Sequence, residues 1–220
     1  MADGTLWIGN KRYSSWSLRG WLAVHLAGLD VEEVVIPFVR DGSGGTPGIR
    51  AVSPNGLVPY LRHRGAEVFE SLAIVEYCAE LAPGFWPADR AARAAARSWA
   101  AEMHAGFVNL RKAMPMNLGR SRAGAPPTPE ALADILRIEA IFAQALKASG
   151  GPYLAGAAMG ALDCMYVPVA TRLLSYAVPV GDAARAYCDV ARRHPLVARW
   201  YDEALAEPAA WQLAHYEDLP

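Results

Sequence analysis

The sequence predicts two structural classes in succession. A small mixed α/β unit fills residues 1–82, a linker follows at 83–90, and an all-helical unit fills residues 91–220. Three observations carry this. Before residue 82, short apolar runs and helical stretches follow the order strand, helix, strand, loop, strand, strand, helix. Residues 83–90, PGFWPADR, crowd two prolines and a glycine into eight positions, which interrupts regular structure. Beyond them apolar residues recur at steps of three and four, within alanine-rich sequence that favours helix.

The elements follow in order. Residues 5–9, TLWIG, are an apolar run fit for a strand. From Ser17 to about residue 27, Leu18, Trp21, Leu22 and His25 fall at helical spacing. Gly28 stands where a glycine stop belongs, and Ser17 is the expected N-cap. Residues 31–39, VEEVVIPFV, read as a second strand whose end is weakened by Pro37. Residues 41–48, DGSGGTPG, read as a surface loop; they lack the Lys-Ser/Thr ending of a phosphate-binding P-loop. Residues 57–62 and 67–69 are two short strands around the turn HRGA, and residues 71–81 a helix.

In the second half, Trp99, Met103, Phe107, Leu110 and Met114 form one apolar stripe. Leu132, Ile135, Leu136, Phe142 and Leu146 form another, after a proline-rich loop at 123–129. Residues 161–177 are almost wholly apolar, as suits a helix buried on all sides. A further helix starts near Asp182, breaks at His194 and Pro195, and resumes over 196–206.

Bulk properties narrow the function. With 220 residues, 53% of them hydrophobic, the chain can build a core without disulfide or metal staples. A net charge of -1 argues against nucleic acid as the main partner. No apolar run is long enough for a membrane span, and the N-terminus lacks a signal-peptide layout. Cys78, Cys164 and Cys188 are widely spaced and match no zinc pattern, so no metal is expected and the thiols read as buried in a reducing compartment. No GxSxG elbow is present. Glu32 with Glu33, and Glu217 with Asp218, read as solvated charges rather than acid/base pairs.

Four features are more specific in combination: YSSWSLR at 13–19, SPNGLVPYL at 53–61, FESLAIVEY at 69–77, and a helical second half with YLAG at 153–156 before Asp163. Through them the chain resembles the soluble glutathione transferase superfamily over nearly its whole length. It looks most like the serine-type members. The Ser-Ser-x-Ser before Arg19 is similar to the zeta class, the maleylacetoacetate isomerases. The resemblance implies a thioredoxin-like glutathione-binding unit and an all-helical unit that contributes the electrophile site. It also implies a cytoplasmic homodimer, detoxification by conjugation, and glutathione as co-substrate without a metal. A zeta-like isomerase of a conjugated diacid is the alternative, and a non-catalytic glutathione-binding or scaffold protein the third reading.

Site residues are carried over by motif. Leu57, Val58 and Pro59 would present backbone to glutathione across a cis Val58–Pro59 bond. Glu70 would face the ligand's ammonium group, and Ser71, at a helix N-terminus, its carboxylate. A cysteine-like thiol with a pKa of about 8.5 is only a few per cent ionised at pH 7, and lowering it by about two units takes roughly 2.7 kcal/mol. A serine hydroxyl donating to the sulfur at a helix N-terminus supplies that kind of stabilisation. The zeta-like pattern nominates Ser14, the first choice; the Ser-x-x-x-Arg spacing to Arg19 nominates Ser15. Tyr13 is a second-line donor. Trp16 stands where zeta enzymes carry cysteine and Leu57 where they carry glutamine; Trp16 counts against isomerase activity, not against glutathione binding. Asp163 is read as structural, keeping the acidic half of a capping box whose other half is Gly160. For the second substrate, Trp16, His104, Phe107, Arg111 and Arg172 are candidates, and a cation there would suit an acidic co-substrate. Met114, Pro115 and Met116 would line an adaptable apolar wall.

Overall fold

The computed structural model describes residues 2–39, 45–124 and 126–218. Strand β1 (Gly4–Ile8) leads through helix α1 (Ser15–Leu26) to β2 (Val31–Val35). A parallel pair requires such a crossover, and β1 and β2 do run parallel. Helix α2 (Pro47–Val52), the hairpin β3 (Tyr60–His63) and β4 (Ala66–Phe69), and α3 (Ser71–Leu81) follow. The strand order is β2-β1-β3-β4, with β3 antiparallel to both neighbours. This is a thioredoxin-like sheet. Leu6, Ile8 and Leu61 of the sheet, Leu18 and Leu22 of α1, and Ile74 and Val75 of α3 are buried in one hydrophobic cluster.

Two local expectations are corrected. Strand β2 ends at Val35, short of residue 39. The Ile36 amide still bonds the Ile8 carbonyl at 2.8 Å, and Pro37 then brings no N–H to continue the ladder. Part of the expected loop at 41–48 is helical: α2 opens on Pro47, whose missing N–H is harmless in a first turn. Residues 41–44 of that loop lie outside the described residues.

The helical region comprises α4 (Arg90–Ala105), α5 (Val108–Ala113), α6 (Pro129–Ser149), α7 (Ala161–Ser175), α8 (Asp182–Arg193), α9 (Pro195–Leu205) and α10 (Ala214–Glu217). The stripe from Trp99 to Met114 does not lie on one helix. Gly106 turns the chain so tightly that a β-carbon would stand 2.8 Å from the Glu102 carbonyl oxygen, and Phe107 takes a left-handed φ of 56°. The chain restarts as α5, where Asp134 of α6 accepts the Leu110 amide at 2.9 Å. Among the described residues, no helix is long and apolar enough to cross a membrane. The three cysteines are buried and free.

Helix α7 is the axis of this region, buried from Ala161 to Leu173. At its start the fully buried Asp163 carboxylate accepts the Leu154 and Gly160 amides, each at 3.0 Å. Removing it leaves two buried donors unpaired, at about 1–3 kcal/mol each. Asp163→Ala is therefore expected to lose about 2–5 kcal/mol in denaturant unfolding. Desolvation pushes the Asp163 carboxyl from 3.8 up to about 6, so the fold favours its neutral form. That contribution is full below pH 3.8 and is lost as pH rises through about 6. The stability difference between wild type and Asp163→Asn is expected to shrink over that window.

Candidate active site

Between β1 and α1 the chain ties a knot of hydroxyls. Ser14 is the N-cap of α1: its Oγ accepts the Ser17 amide at 3.2 Å. The expected cap, Ser17, lies inside the first turn instead. Its Oγ accepts the Gly9 amide at 3.0 Å and the Ser14 hydroxyl at 2.7 Å. A tertiary bond to the end of β1 thus decides which serine caps. Ser14 is tied into this knot through both its bonds to Ser17.

Ser15 is the first residue of the helix, and its Oγ is engaged differently. It accepts from Nη2 of Arg172 at 3.2 Å. Arginine has donors only, so the Ser15 oxygen is the acceptor in that pair. Its own proton is left for another group.

Both serines line a cleft of about 790 Å³ between the sheet and the helical region. Trp16, Leu57 and Val58 continue the sheet side; Arg111, Pro115, Met116 and Arg172 form the opposite wall. Among the described residues, the lining carries two arginines and no carboxylate. The Arg19 and Arg111 guanidiniums lie over the Trp16 ring, at 4.3 Å and 5.4 Å from its centroid. The Val58–Pro59 bond is cis. Pro59 sits behind the cleft against Gly20, where a β-carbon would approach its ring to 2.7 Å.

The remaining sequence candidates do not line this cleft. Glu70, Ser71 and His104 gather at the N-terminus of α3. Glu70 has a left-handed φ of 72°, accepts from Asn55 Nδ2 at 3.3 Å, and stands 3.6 Å from His104 Nε2. Ser71 is buried, and its Oγ has no partner. His104 packs edge-on against Trp16. Burial, with Arg19 and Arg111 opposing Glu70, holds its imidazole below the usual value. Phe107 is buried at the break between α4 and α5, and Met114 lies in the core.

Two buried cations stand beside the cleft. Arg172 is fixed by Nε to the Met114 carbonyl at 2.8 Å and Nη1 to the Pro168 carbonyl at 3.0 Å. Desolvation, reinforced by Arg111, pushes its pKa down to about 10. Arg19 is wholly buried; Nε bonds the Met165 carbonyl at 3.1 Å, while Nη1 and Nη2 find no partner. Desolvation, then Arg172 and Arg111, lower its pKa well below the usual value.

Sequence reasoning missed the C-terminal strap. Leu213 and Tyr216 close one end of the cleft, and Tyr216 stacks on Tyr13 with centroids 5.1 Å apart. Glu217 is not a solvated charge. It accepts from Tyr13 Oη at 2.5 Å, Arg12 Nε at 2.9 Å, Arg120 Nε at 3.1 Å and Asn117 Nδ2 at 3.1 Å. Glu33 is likewise engaged, by Lys11 and Trp21. Tyr13, the second-line donor, has its proton committed to Glu217 and its oxygen to the Leu213 amide at 3.2 Å. Only the contacts, not the local pattern YEDLP, carry this information.

Against a desolvation that would raise it, bonds from Tyr13, Arg12 and Arg120 hold the Glu217 carboxyl down at about 2, from 4.5. The strap should stay latched at pH 4.5 and loosen only as pH falls toward about 2. Tyr13→Phe removes two of its bonds. Hydrogen exchange at residues 213–217 is expected to accelerate about tenfold or more in that variant, since bonds to charged groups contribute about 1.5–3 kcal/mol.

Comparison with known proteins bears on the fold and on the N-terminal segment. Residues 13–81 match the family model described as glutathione S-transferase, N-terminal domain. No curated protein sequence matches the chain. Among solved structures it is similar to a glutathione transferase homolog from Burkholderia GL BGR1 with bound glutathione. Identity is 21%, the alignment covers 93% of this chain and 99% of that one, and the TM-score is 0.69. It is similar to a theta class glutathione S-transferase from Xanthomonas axonopodis pv. citri with glutathione bound, at 23% identity, 94% and 99% coverage, and a TM-score of 0.64. A third is glutathione transferase Omega 3C from Trametes versicolor, at 20% identity, 94% and 90% coverage, and a TM-score of 0.68. The structural likenesses concern the fold; the family-model match ties the N-terminal segment to glutathione transferases.

Proposed function

We propose that this protein is a glutathione transferase whose thiol-activating residue is Ser15. The observation that carries the assignment is the polarity of the Ser15 hydroxyl. Its oxygen accepts from Arg172, so its proton is free to point into the cleft, whereas the Ser14 hydroxyl is engaged by both the amide and the hydroxyl of Ser17. The match of residues 13–81 supports glutathione as the ligand.

The residues present fit that ligand. Ser15 offers a hydroxyl donor at a helix N-terminus, where the first amides and the helix dipole also favour negative charge. Ser71 Oγ is an unpartnered buried group at the start of α3, suited to a carboxylate of the peptide. The cis Val58–Pro59 segment borders the cleft. Glutathione supplies a thiol; once its proton has gone to solvent, the sulfur forms a bond to the electrophilic carbon as the leaving group departs with its electron pair. Ser15 is a hydrogen-bond donor throughout and never a nucleophile. Trp16 and Met116 present apolar surface to the electrophile. The bulk of Trp16, where isomerases of the zeta class carry cysteine, favours conjugation over isomerisation.

Conjugation of glutathione to chlorodinitrobenzene tests the assignment. Ser15→Ala is expected to lower kcat/KM by about 10²-fold or more at pH 7 and to move the rate optimum to alkaline pH, as loss of a donor to an anionic reacting atom costs about 2.7–4 kcal/mol. Ser14→Ala is expected to lower the melting temperature through loss of a helix cap worth about 1 kcal/mol, with no alkaline shift of the optimum. The opposite assignment of the two phenotypes would overturn Ser15.

A further inference from the structure

The group that fixes the Ser15 hydroxyl comes from 157 residues away in sequence, on the buried helix α7. We propose that Arg172 is the positioning residue of this site: its guanidinium sets Ser15 as a donor toward the glutathione sulfur and supplies the positive charge that faces the thiolate. The proposal deepens the transferase reading of the same cleft and rests on it.

Three observations carry it. The first is hydrogen-bond logic. A serine hydroxyl is ordinarily ambivalent, but one bonded to a guanidinium can only accept there. Arg172 is itself immobilised by the Met114 and Pro168 carbonyls, so the Ser15 proton is directed by a rigid partner rather than by rotation. The second is unmatched charge. Arg172 is buried, and no ion pair joins it to a carboxylate among the described residues. Burying a cation without an anion costs several kcal/mol; a sulfur anion held by Ser15 would be the missing counter-charge. The third is the surround. The groups facing Arg172 are Arg19 of α1, Arg111 of α5, Tyr176 at the end of its own helix and Tyr216 of α10. Two are cations and two are tyrosines, and no carboxylate among the described residues lines the cleft to compete with a thiolate for the positive field. An opposite charge within about 4–6 Å lowers an acid's pKa by about 1–3 units.

The role divides into two parts that substitutions separate. Arg172→Lys keeps a charge but loses the planar fork. Arg172→Gln keeps an amide donor for Ser15 but carries no charge. Arg172→Met removes both and fills the space.

The test is a spectroscopic titration of the bound thiolate's ultraviolet absorbance against pH, for wild type, the three Arg172 variants and Ser15→Ala. Glutathione dissociation constants come from calorimetry on the same samples, and folding is checked by thermal melting. Wild type is expected to hold bound glutathione at a thiol pKa at least one unit below free glutathione. Arg172→Met should raise that pKa by at least one unit, a tenfold loss of thiolate at neutral pH, with the dissociation constant changed much less. Arg172→Lys should restore part of the shift. Arg172→Gln should remain raised, and it serves in place of Arg172→Met should that variant fail to fold. A merely structural arginine would alter melting and leave the thiol pKa in place. An unchanged pKa in the folded Met or Gln variant overturns the positioning role while leaving the transferase reading intact. Absence of glutathione binding, or of any lowered thiol pKa in wild type, overturns both.

Discussion

Helix α1 is packed on both sides, and the cleft inherits its geometry from that constraint. Leu18 and Leu22 belong to the core that α1 shares with the sheet and α3. Arg19 reaches the α7 backbone at Met165, and Trp21 meets Trp200 of α9 with centroids 5.2 Å apart. A helix held between two layers cannot roll to serve one without disturbing the other. Its N-terminus, where Ser14 and Ser15 sit, is therefore fixed relative to Arg172 as firmly as relative to β1. Ser15 and Arg172 lie 157 residues apart in sequence, yet one rigid helix sets their separation.

The entry to α1 is guarded by a second contact between the layers. The Lys11 ammonium is buried between the Trp21 and Trp200 rings, 5.4 Å and 5.3 Å from their centroids, and paired with Glu33 and Glu203. Glu207 accepts the Lys11 amide at 2.6 Å, and Trp200 donates to the Lys11 carbonyl at 3.0 Å. The loop that delivers Ser14 and Ser15 is thus anchored by backbone and side chain before the helix begins. The strap from residue 206 onward closes over the same loop through Tyr13 and Glu217.

Much of this was legible in the sequence, and what was not has a common cause. Helix α3 runs from Ser71 to Leu81 as its spacing predicts, with Glu70 rather than Ser71 at the N-cap position, and α4 opens at Arg90, the last residue of the proline-rich 83–90. Local signals suffice there because no distant contact opposes them. The failures lie where a distant contact decides. Ser14 and Ser17 are equally good caps by type; Ser17 loses the role because its hydroxyl serves Gly9. The stripe from Trp99 to Met114 has helical spacing throughout, but Gly106 lets the chain turn and Asp134 of another helix caps the restart. Glu217 looks solvated in YEDLP and becomes a four-partner anchor only when residues 12, 13, 117 and 120 surround it. The motifs named several residues that line the cleft, but the bond from Arg172 that sets Ser15 apart from Ser14 is one no local spacing could reveal.

The distribution of paired and unpaired cations shows what the cleft is suited to. Several arginines are matched with carboxylates: Arg12 and Arg120 with Glu217, Arg97 with Glu76, Arg137 with Glu102, Arg199 with Glu203. Even the buried Lys11 has two. Arg19 and Arg172 are the most deeply buried arginines, and they are held by carbonyl oxygens, which orient a guanidinium without neutralising it. A carboxylate beside either guanidinium would cancel the positive field at Ser15. Left unmatched, the two arginines make the cleft favour negative charge before any ligand arrives, and their burial keeps water from screening it. The stability forgone in burying them becomes a preference of the cleft for an anion over a neutral group.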